Sequence, residues 1–439
     1  MTAVRSEAQT PIPLLQPPPA VGGPIVITLQ DAIDRAKKLD AVYLGSVADA
    51  ALAAEDRVQA RAATLPTVSS TLQDLVTQGN GVAPSGRFIT NDGVHVYRGW
   101  GVVHQDLSAD TVLKTGYKHA EAAEAVAKAK VDVARYGLES AVTKDYYALI
   151  TTQRKYVTAQ LLVQQSQRFL DVSRQQERLG QVARADSVKA ELQYQQLKQS
   201  FDDVTLAMET ARLNLAVILF PALNENFTVV DDLDSTRPLP PFAEVQTLAE
   251  KQNPDLRVAS LTINQLGFEV KKARNALLPS LTIEADYGIE ANALKAHSTV
   301  AAAPEFGPLP NLGFFVTGTL NVPIWDWGGL KSKVSQARIH QRQAEVQLSQ
   351  TQRQLVGNLY AAYNEALAAQ SAVTSTRQSA DLATESLRLT NLRYQAGEST
   401  ALEVVDAQNS LSTARNAYDD AQVRYRLAIS TLQTLTGGF

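Results

Sequence analysis

Residues 404–435 read VVDAQNSLSTARNAYDDAQVRYRLAISTLQTL, and the periodicity of this stretch decides the fold. Large side chains recur at every seventh position, at Val404, Leu411, Tyr418, Tyr425 and Leu432. A second series, three positions later, is mostly small: Ala407, Ala414, Ala421, Ala428 and Leu435. Two apolar positions in a seven-residue repeat are typical of a coiled coil, in which large side chains of one helix face small ones of another. The stretch therefore predicts a long helix that packs against other helices along its length.

The chain contains this organisation twice. The segment RAATLP at residues 61–66 matches RNALLP at residues 274–279, and Gly180 in the first half matches Gly397 in the second. Each half therefore predicts the same order of helix, strand region, long helix, glycine turn and helix. The predicted domains are a proline-rich extended N-terminal arm at 1–27, a first repeat at 28–224, a linker at 225–241 and a second repeat at 242–439.

The helices before the glycine turns also show heptads. The first-half series is Val142, Leu149, Tyr156, Val163 and Leu170. This helix is predicted to run from Asp110 to about Arg178, which is on the order of 100 Å at the rise of an α-helix. Such a helix is too long for an ordinary globular core. Periodicity alone is equally compatible with a coiled-coil scaffold, so the function depends on what the strand regions do.

Strand regions interrupt the helices in each half. Residues 281–290 alternate completely, with the apolar set Leu281, Ile283, Ala285, Tyr287 and Ile289. Ten alternating residues are about the length of a membrane-spanning barrel strand. Residues 314–322 alternate too, residues 94–104 are a plausible strand, and residues 66–77 are a weaker one. Long loops rich in Gly, Pro, Ala and Asn are predicted at residues 79–93 and 291–311.

Four strands in one chain are too few for a closed transmembrane barrel. The smallest such barrels have about eight strands, and an incomplete barrel would leave two strand edges exposed. Several chains must therefore share one barrel if these strands cross a membrane. The alternative from alternation alone is a soluble four-stranded sheet capped by helices.

Composition excludes several classes of function. The 439-residue chain has a formal net charge of -4, no cysteine and five histidines. A protein with a net negative charge does not neutralise the phosphates of a nucleic acid, so we expect no nucleic-acid partner. Without cysteine there are no thiolate ligands, and we expect no metal and no cofactor. No phosphate-binding loop, His-Glu-x-x-His motif or nucleophile elbow occurs, so the sequence predicts that the protein is not an enzyme.

The N-terminus shows no export signal. A signal peptide has a basic segment and then an apolar core of about 7 to 15 residues, whereas residues 1–24 are proline-rich. Two explanations stay open: the start of the sequence is trimmed or misassigned, or the protein stays inside the cell. The longest apolar runs are also far shorter than the roughly 20 residues of a spanning helix, so membrane insertion would have to use strands.

Three motifs resemble those of one known family. The segment RYQAG at residues 393–397 with LEVVDAQNSL at 402–411 resembles the most recognisable segment of TolC-like outer-membrane efflux proteins. The segment VPIWDWGG at 322–329, with QAR at 336–338, resembles the junction from strand to long helix in these proteins. The segment LPSL at 278–281 resembles the start of their third strand. The resemblance extends from residue 28 to residue 438. The first half departs from the pattern at two positions, Glu177 and Lys189, where the second has Tyr394 and Asp406.

The resemblance implies a fold that is mainly α with a β-barrel portion. Coiled-coil hairpins would form an α-barrel across the periplasm, and four transmembrane strands per chain would close as a shared 12-stranded outer-membrane barrel in a homotrimer. The implied function is a passive exit duct of a tripartite efflux or type I secretion system. Its implied partners are a periplasmic adaptor protein, an inner-membrane pump and outer-membrane lipid. The alternative is a soluble or periplasmic coiled-coil scaffold or adaptor without a pore, although adaptors have one helical hairpin and each half here has its own.

The resemblance also implies a gate. Glu403 and Asp406 are three residues apart and share one helix face just beyond Gly397. In the family these positions lie at the periplasmic tip, where three copies would form acidic rings that favour cations. Asp186 is the first-half equivalent of Glu403 and is expected to pair with tip residues. A solvated helix face is the alternative explanation for such acidic pairs.

Three other groups of residues complete the sequence-based expectations. The helix-reversing turns are candidates for docking the adaptor, through Leu179, Gly180, Gln181, Ala396, Gly397 and Glu398. Trp325 and Trp327 are expected to anchor the chain at the membrane–water boundary. The pair Asp419 and Asp420 is expected to be solvated or to face a lumen rather than to bind a metal.

Overall fold

The structure is a computed structural model, and it describes residues 24–76, 95–222, 226–235, 238–291, 295–301 and 308–438. The predicted N-terminal arm up to residue 23 and the predicted loop at 79–93 lie outside these residues, as does part of the loop at 291–311. The chain divides into two compact units. The helical unit comprises Met1–Gly45, Asp132–Pro254 and Gln354–Phe439, and the sheet unit comprises Ser46–Val131 and Asp255–Arg353. Each unit therefore draws on both halves of the sequence.

The described elements follow the order that the duplication predicts. The helices are α1 Leu29–Ala36, α2 Ala41–Ala62, α3 Ala109–Val112, α4 Thr115–Arg178, α5 Arg184–Leu219, α6 Phe242–Gln252, α7 Pro254–Asn275, α8 Gly329–Gln395 and α9 Ala401–Thr436. The strands are β1 Ile25–Ile27, β2 Thr67–Val76, β3 His95–Leu107, β4 Phe227–Val229, β5 Ser280–Ala291, β6 His297–Ala301, β7 Pro308–Pro310 and β8 Leu312–Asn321. Among the described helices, none is both long enough and apolar enough to cross a membrane.

The predicted long helix is confirmed with one correction at its start. Helix α3 ends at Val112, and α4 begins only at Thr115. Lys114, between them, has a φ of 53°, a left-handed conformation that interrupts a right-handed helix. The helix of 64 residues that follows is unbroken to Arg178.

All four predicted barrel strands form one sheet in the sheet unit. Its order is β2-β3-β5-β8, and every neighbouring pair is antiparallel. The alternating stretch predicted at 281–290 is β5, and the weaker candidate at 66–77 is β2. Two short strands, β6 and β7, pair with each other and were not predicted, since alternation needs a longer run to be recognised.

The sheet has one apolar and one polar face. Cross-strand register places large apolar side chains on the same side of all four strands, and they are exposed: Val68, Leu72, Val103, Ile283, Tyr287, Phe314, Val316 and Leu320. The opposite side bears mainly polar groups: Thr71, Gln73, Arg98, His104, Thr282, Glu284, Glu290, Thr317 and Thr319. An exposed apolar face of this extent is rare on a soluble monomer.

Both outer strands of this sheet are open. Strands β2 and β8 each pair with one neighbour only, within the part of the chain that the structure describes. Every residue of β8 is exposed, and so are residues 67–74 of β2. Unpaired edges of this length are templates for pairing with another chain.

The helical unit is built on the predicted coiled-coil seams. Of the large series in α9, Val404, Leu411, Tyr425 and Leu432 are buried, and Tyr418 is partly buried. In α4, Val142, Leu149 and Leu170 are buried in the same way. The heptads thus mark the faces on which the helices pack, as the sequence predicts.

A small parallel sheet closes the core of the helical unit. Strands β1 and β4 pair from Ile25 with Phe227 to Ile27 with Val229. The buried Tyr146 of α4 contacts both strand segments. Its hydroxyl donates to the carbonyl oxygen of Val230 at 2.7 Å and lies 3.2 Å from the carbonyl oxygen of Ile27. The sequence predicts an extended N-terminal arm at β1 and a linker at β4, since three-residue strands leave no alternating pattern.

Candidate functional site

The two glycine turns of the helical unit have the same geometry. Gly180 has a φ of 71° and Gly397 a φ of 79°. In the second turn the amide of Gly397 donates to Tyr394, and that of Glu398 donates to the carbonyl of Arg393 at 2.9 Å. This is the Schellman pattern, in which glycine takes the left-handed position after the last helical residue. The first turn repeats both bonds at Gly180 and the residue after it.

The six residues predicted to dock an adaptor are all exposed in these turns. They are Leu179, Gly180, Gln181, Ala396, Gly397 and Glu398. A side chain stiffens the second turn, because the guanidinium of Arg393 donates to the carbonyl oxygen of Glu398 at 3.0 Å. The turns are therefore ordered, outward-facing surfaces of the helical unit.

Glu403 lies in the first turn of helix α9, where its side chain is hydrogen-bonded to the residues just before the helix. Its carboxylate accepts from the Thr400 backbone amide at 3.3 Å, and its own amide donates to the Thr400 hydroxyl at 3.3 Å, which is a capping box. The Ser399 hydroxyl donates to the same carboxylate at 2.9 Å, and Arg393 lies 3.5 Å from it. The hydrogen bond from Ser399 is the main reason that the pKa of Glu403 is lowered, and the Thr400 bonds and the Arg393 charge add to it. Sequence reasoning identified the residue but missed this capping role.

The two other predicted gate residues lie in different surroundings. Asp406 is exposed and has no hydrogen bond or ion pair with any other described residue. Asp186, in the first turn of α5, is partly buried, and its charge adds to the effect of burial in raising the pKa of the Tyr394 phenol. Its pairing with tip residues stays a prediction.

Tyr394 joins the two hairpins below the turns. Its hydroxyl lies 2.8 Å from the Ser173 hydroxyl, in a fully buried hydrogen bond between α4 and α8. Its ring meets that of Phe169 edge-on, with centroids 5.0 Å apart. The surrounding cluster is apolar: Phe169, Leu170, Ala190, Tyr394, Ala401, Val404 and Val405. The sequence feature that could have indicated this contact is Ser173, a polar residue on a helix face that is otherwise buried.

A charged cluster lies further along the same helices. Arg154 of α4 bonds Asp231 at 2.5 and 2.8 Å, Asp234 at 3.1 Å and Gln422 at 2.7 Å. It also lies 3.4 Å from Asp419, which is only 7% exposed. The expectation that Asp419 is solvated or lumen-facing is therefore wrong, because the residue is buried against a cation from another helix. No group of three or more metal-ligating side chains occurs in the described ranges.

The paired tryptophans lie in the sheet unit, between β8 and α8. Trp325 is 75% exposed and Trp327 is 90% exposed, and their rings meet edge-on with centroids 5.5 Å apart. Asp326 between them caps α8 by accepting from the amide of Leu330 at 2.5 Å. The turn thus holds two large indoles outward at the end of the apolar face.

Comparison with known proteins identifies this arrangement. The sequence profile described as "Outer membrane efflux protein" matches residues 245–438. Outer membrane protein TolC of Escherichia coli strain K12 is 28% identical over 280 residues, which are 62% of this chain. The resemblance to TolC-like outer membrane efflux proteins is thereby confirmed. The aligned region spans about half of the Escherichia coli protein, 55% of its length.

Other members of the outer membrane efflux family match over more of their length. TolC of Vibrio cholerae is 23% identical over 425 residues, which are 93% of this chain and 90% of the relative. The outer membrane channel CmeC of Campylobacter jejuni has the same fold, with a TM-score of 0.80, 16% identity and coverage of 93% of this chain and 85% of that one. The mainly α fold with a β portion is thereby confirmed, and so is the outer-membrane location. The family consists of channels rather than enzymes, and it gives no support to a pore-free scaffold.

Proposed function

We propose that this chain is one subunit of a passive exit duct in the outer membrane, which takes substrates from an inner-membrane pump and a periplasmic adaptor. The observation that supports this best is the four-stranded sheet. One of its faces is apolar and exposed, the other is polar, and both edges are open. Such a sheet is stable when further chains pair with its open edges and close it into a barrel. Its apolar face then meets lipid and its polar face meets water.

The open edges support a homotrimer. Strand β8 of one chain would pair with β2 of the next, and three sheets would then form a barrel of 12 strands without an edge. The number of strands fits the even counts of bacterial outer-membrane barrels. Native mass measurement in detergent should show three subunits, and a stable monomer with folded strands would contradict the assembly.

The exposed tryptophans support a position in the membrane. Indole rings collect at the membrane–water interface, because one part of the ring system is apolar and the N–H needs a polar partner. Trp325 and Trp327 follow directly on the apolar side chains at the end of β8. In the proposed barrel they anchor the periplasmic rim of the apolar band.

The acidic residues at the helical tips form the proposed gate. In a trimer, Glu403 and Asp406 would each occur three times around one aperture. Such rings attract cations and repel anions. Asp406 supports this best, since it is exposed and makes no bond within the described part of its own chain. Asp186 acts electrostatically on the Tyr394 phenol, through which it would favour one arrangement of the hairpins over another.

The gate is tested by removing charge without removing the helix cap. The double variant Glu403→Gln with Asp406→Asn keeps a side chain that can complete the capping box. Single-channel recordings in planar bilayers should show a smaller preference for cations and a higher conductance. Asp420→Asn is the matched control, because Asp420 is exposed on the same helix and pairs only with Lys155 at 2.7 Å. Equal selectivity in the two variants would make the tip carboxylates an ordinary solvated helix face.

The exposed glycine turns form the proposed docking surface for the adaptor. Their six residues point outward on ordered Schellman turns, which suits recognition by a complementary helical tip. Leu179 contributes the largest apolar surface of the set. Leu179→Arg should abolish substrate export by cells while leaving conductance in bilayers unchanged. Gln175→Arg, one turn earlier on the same helix and also exposed, is the control that should retain export.

A further inference from the structure

A buried carboxylate on the polar face of the sheet has no partner. Asp286 lies on β5 opposite Val102 and Phe315. It is only 3% exposed, and its Oδ2 is sealed from solvent without accepting a hydrogen bond from any described residue. Burying an ionised group without compensation is strongly unfavourable, so such a group in a folded protein needs a physical reason.

Asp286 lines a small cavity with aromatic walls. The cavity has a volume of about 150 Å³, and its lining includes Trp100, Asp286, Glu290 and Phe315. The rings of Trp100 and Phe315 meet edge-on, with centroids 5.0 Å apart and planes at 80°. A volume of about this size is enough for a molecule the size of benzene. The space therefore suits a small organic group rather than a large substrate.

Glycine at position 288 creates the wall of this cavity. A Cβ atom at Gly288 would lie 2.8 Å from both the Cα and the Cδ1 atoms of Trp100. Only glycine at this position lets the indole lie across the strand towards Phe315. The aromatic wall is thus part of how the strands pair and does not depend on a mobile loop.

The other charged groups on this face already have partners. Arg98 lies 3.1 Å from Glu290, and its guanidinium lies 5.7 Å from the centre of the Trp100 ring. His104 lies 3.4 Å from Glu284. Asp286 is therefore the carboxylate of this cavity whose charge is left without a close cation among the described residues.

The chemistry of the cavity selects one class of ligand. An unpaired carboxylate with two aromatic walls attracts an alkylammonium head, through its charge and through cation–π contact. A metal ion would need more oxygen or nitrogen ligands than converge here, and the described residues contain no such group. We propose that Asp286, Trp100 and Phe315 form a binding site for a small organic ammonium group. This proposal depends on the proposed function in one respect: the polar face of the sheet would line the duct.

Binding is measured on the purified protein in detergent, so that no channel is needed. Replacing Trp325 and Trp327 by Phe leaves Trp100 as the only tryptophan in the chain. Tetramethylammonium chloride, titrated against sodium chloride at constant ionic strength, should change the Trp100 fluorescence to saturation. In this background Asp286→Asn should weaken the apparent affinity roughly tenfold or more, as expected for losing a charge partner in a desolvated site. Glu284→Gln, two residues away on the same face, should change it by less than about twofold.

The outcomes separate the site from the duct. An unchanged titration in Asp286→Asn overturns the proposal, and so does an equal response to sodium chloride. If Asp286→Asn does not fold, Phe315→Leu decides, because it removes one aromatic wall while keeping the charge and the Trp100 signal, and should also weaken the response. Tetramethylammonium should further reduce the single-channel current of the unsubstituted protein. Binding without any conductance would refute the duct alone, whereas conductance without binding would refute the site alone.

Discussion

Ile283→Arg tests whether the apolar face of the sheet meets lipid. Ile283 lies opposite Gln105 on β3 and Gly318 on β8, and its side chain is 36% exposed. The glycine opposite offers no side chain to shield a new charge. An arginine at this position would therefore have to enter the lipid or displace the strand.

The position of Ile283 along β5 determines how much stability Ile283→Arg should cost. It lies three residues after Ser280, where β5 begins, which is about 10 Å along the strand. At a tilt of about 40° this corresponds to a depth of about 8 Å in an apolar band about 25 Å tall. Arginine costs about 2 to 4 kcal/mol at the midplane and about 0 to 1 kcal/mol at the interface, so we expect about 2 kcal/mol per chain. Three copies in one barrel would lose about 6 kcal/mol.

Thr282→Arg is the matched control for this substitution. Thr282 lies on the polar face, opposite Asp106 and Thr319, where an arginine can stay hydrated. Urea titration of folding into lipid vesicles should show a clear loss of stability for Ile283→Arg and little change for the control. Equal losses in the two variants would refute the assignment of the faces.

Three further substitutions test the helical unit. Arg154→Met should lower the free energy of unfolding by about 3 kcal/mol, measured by denaturant titration, because it leaves the buried Asp419 without its cation. Gly397→Ala should cost about 1 to 2 kcal/mol through its positive φ, whereas Gly137→Ala, in the open interior of α4, should be neutral or stabilising in the same titration. The lowered pKa of Glu403 means that its cap is fully present above the ordinary value of 4.5 and is lost as the pH falls through the lowered value. Protection of the amides at the start of α9, taken relative to their intrinsic exchange rate at each pH, should therefore fall in acid in the native protein and not in Glu403→Gln.

The helices and the four sheet strands could be predicted because their signals are local. A heptad such as the one through Val404 and Leu411 shows which face is buried without any knowledge of the partner helix. The alternation of β5 likewise distinguishes its two faces, and the structure places Ile283 and Thr282 on opposite ones. The strands β1 and β4 could not be predicted, because three residues leave no period to detect.

The pairings between distant residues could not be read from the sequence. Arg154 meets Asp231 and Asp419 only after the hairpins pack, and nothing near any of them in the sequence indicates the partner. For this reason the sequence alone predicts that Asp419 and Asp420 are solvated or face a lumen, although Asp419 is buried. The burial of Asp286 was missed for the same reason, since alternation places it on the polar face but does not show that Trp100 and Phe315 cover it.

Single-channel recording of the purified protein in a planar lipid bilayer tests the proposed exit duct most directly. We expect stepwise currents of uniform size that prefer cations, from a particle whose mass corresponds to three chains. If the native protein is inserted with its sheet folded but conducts no ions under any applied voltage, a closed gate explains the silence only if Glu403→Gln with Asp406→Asn does conduct. Silence in both the native protein and that variant would contradict the duct.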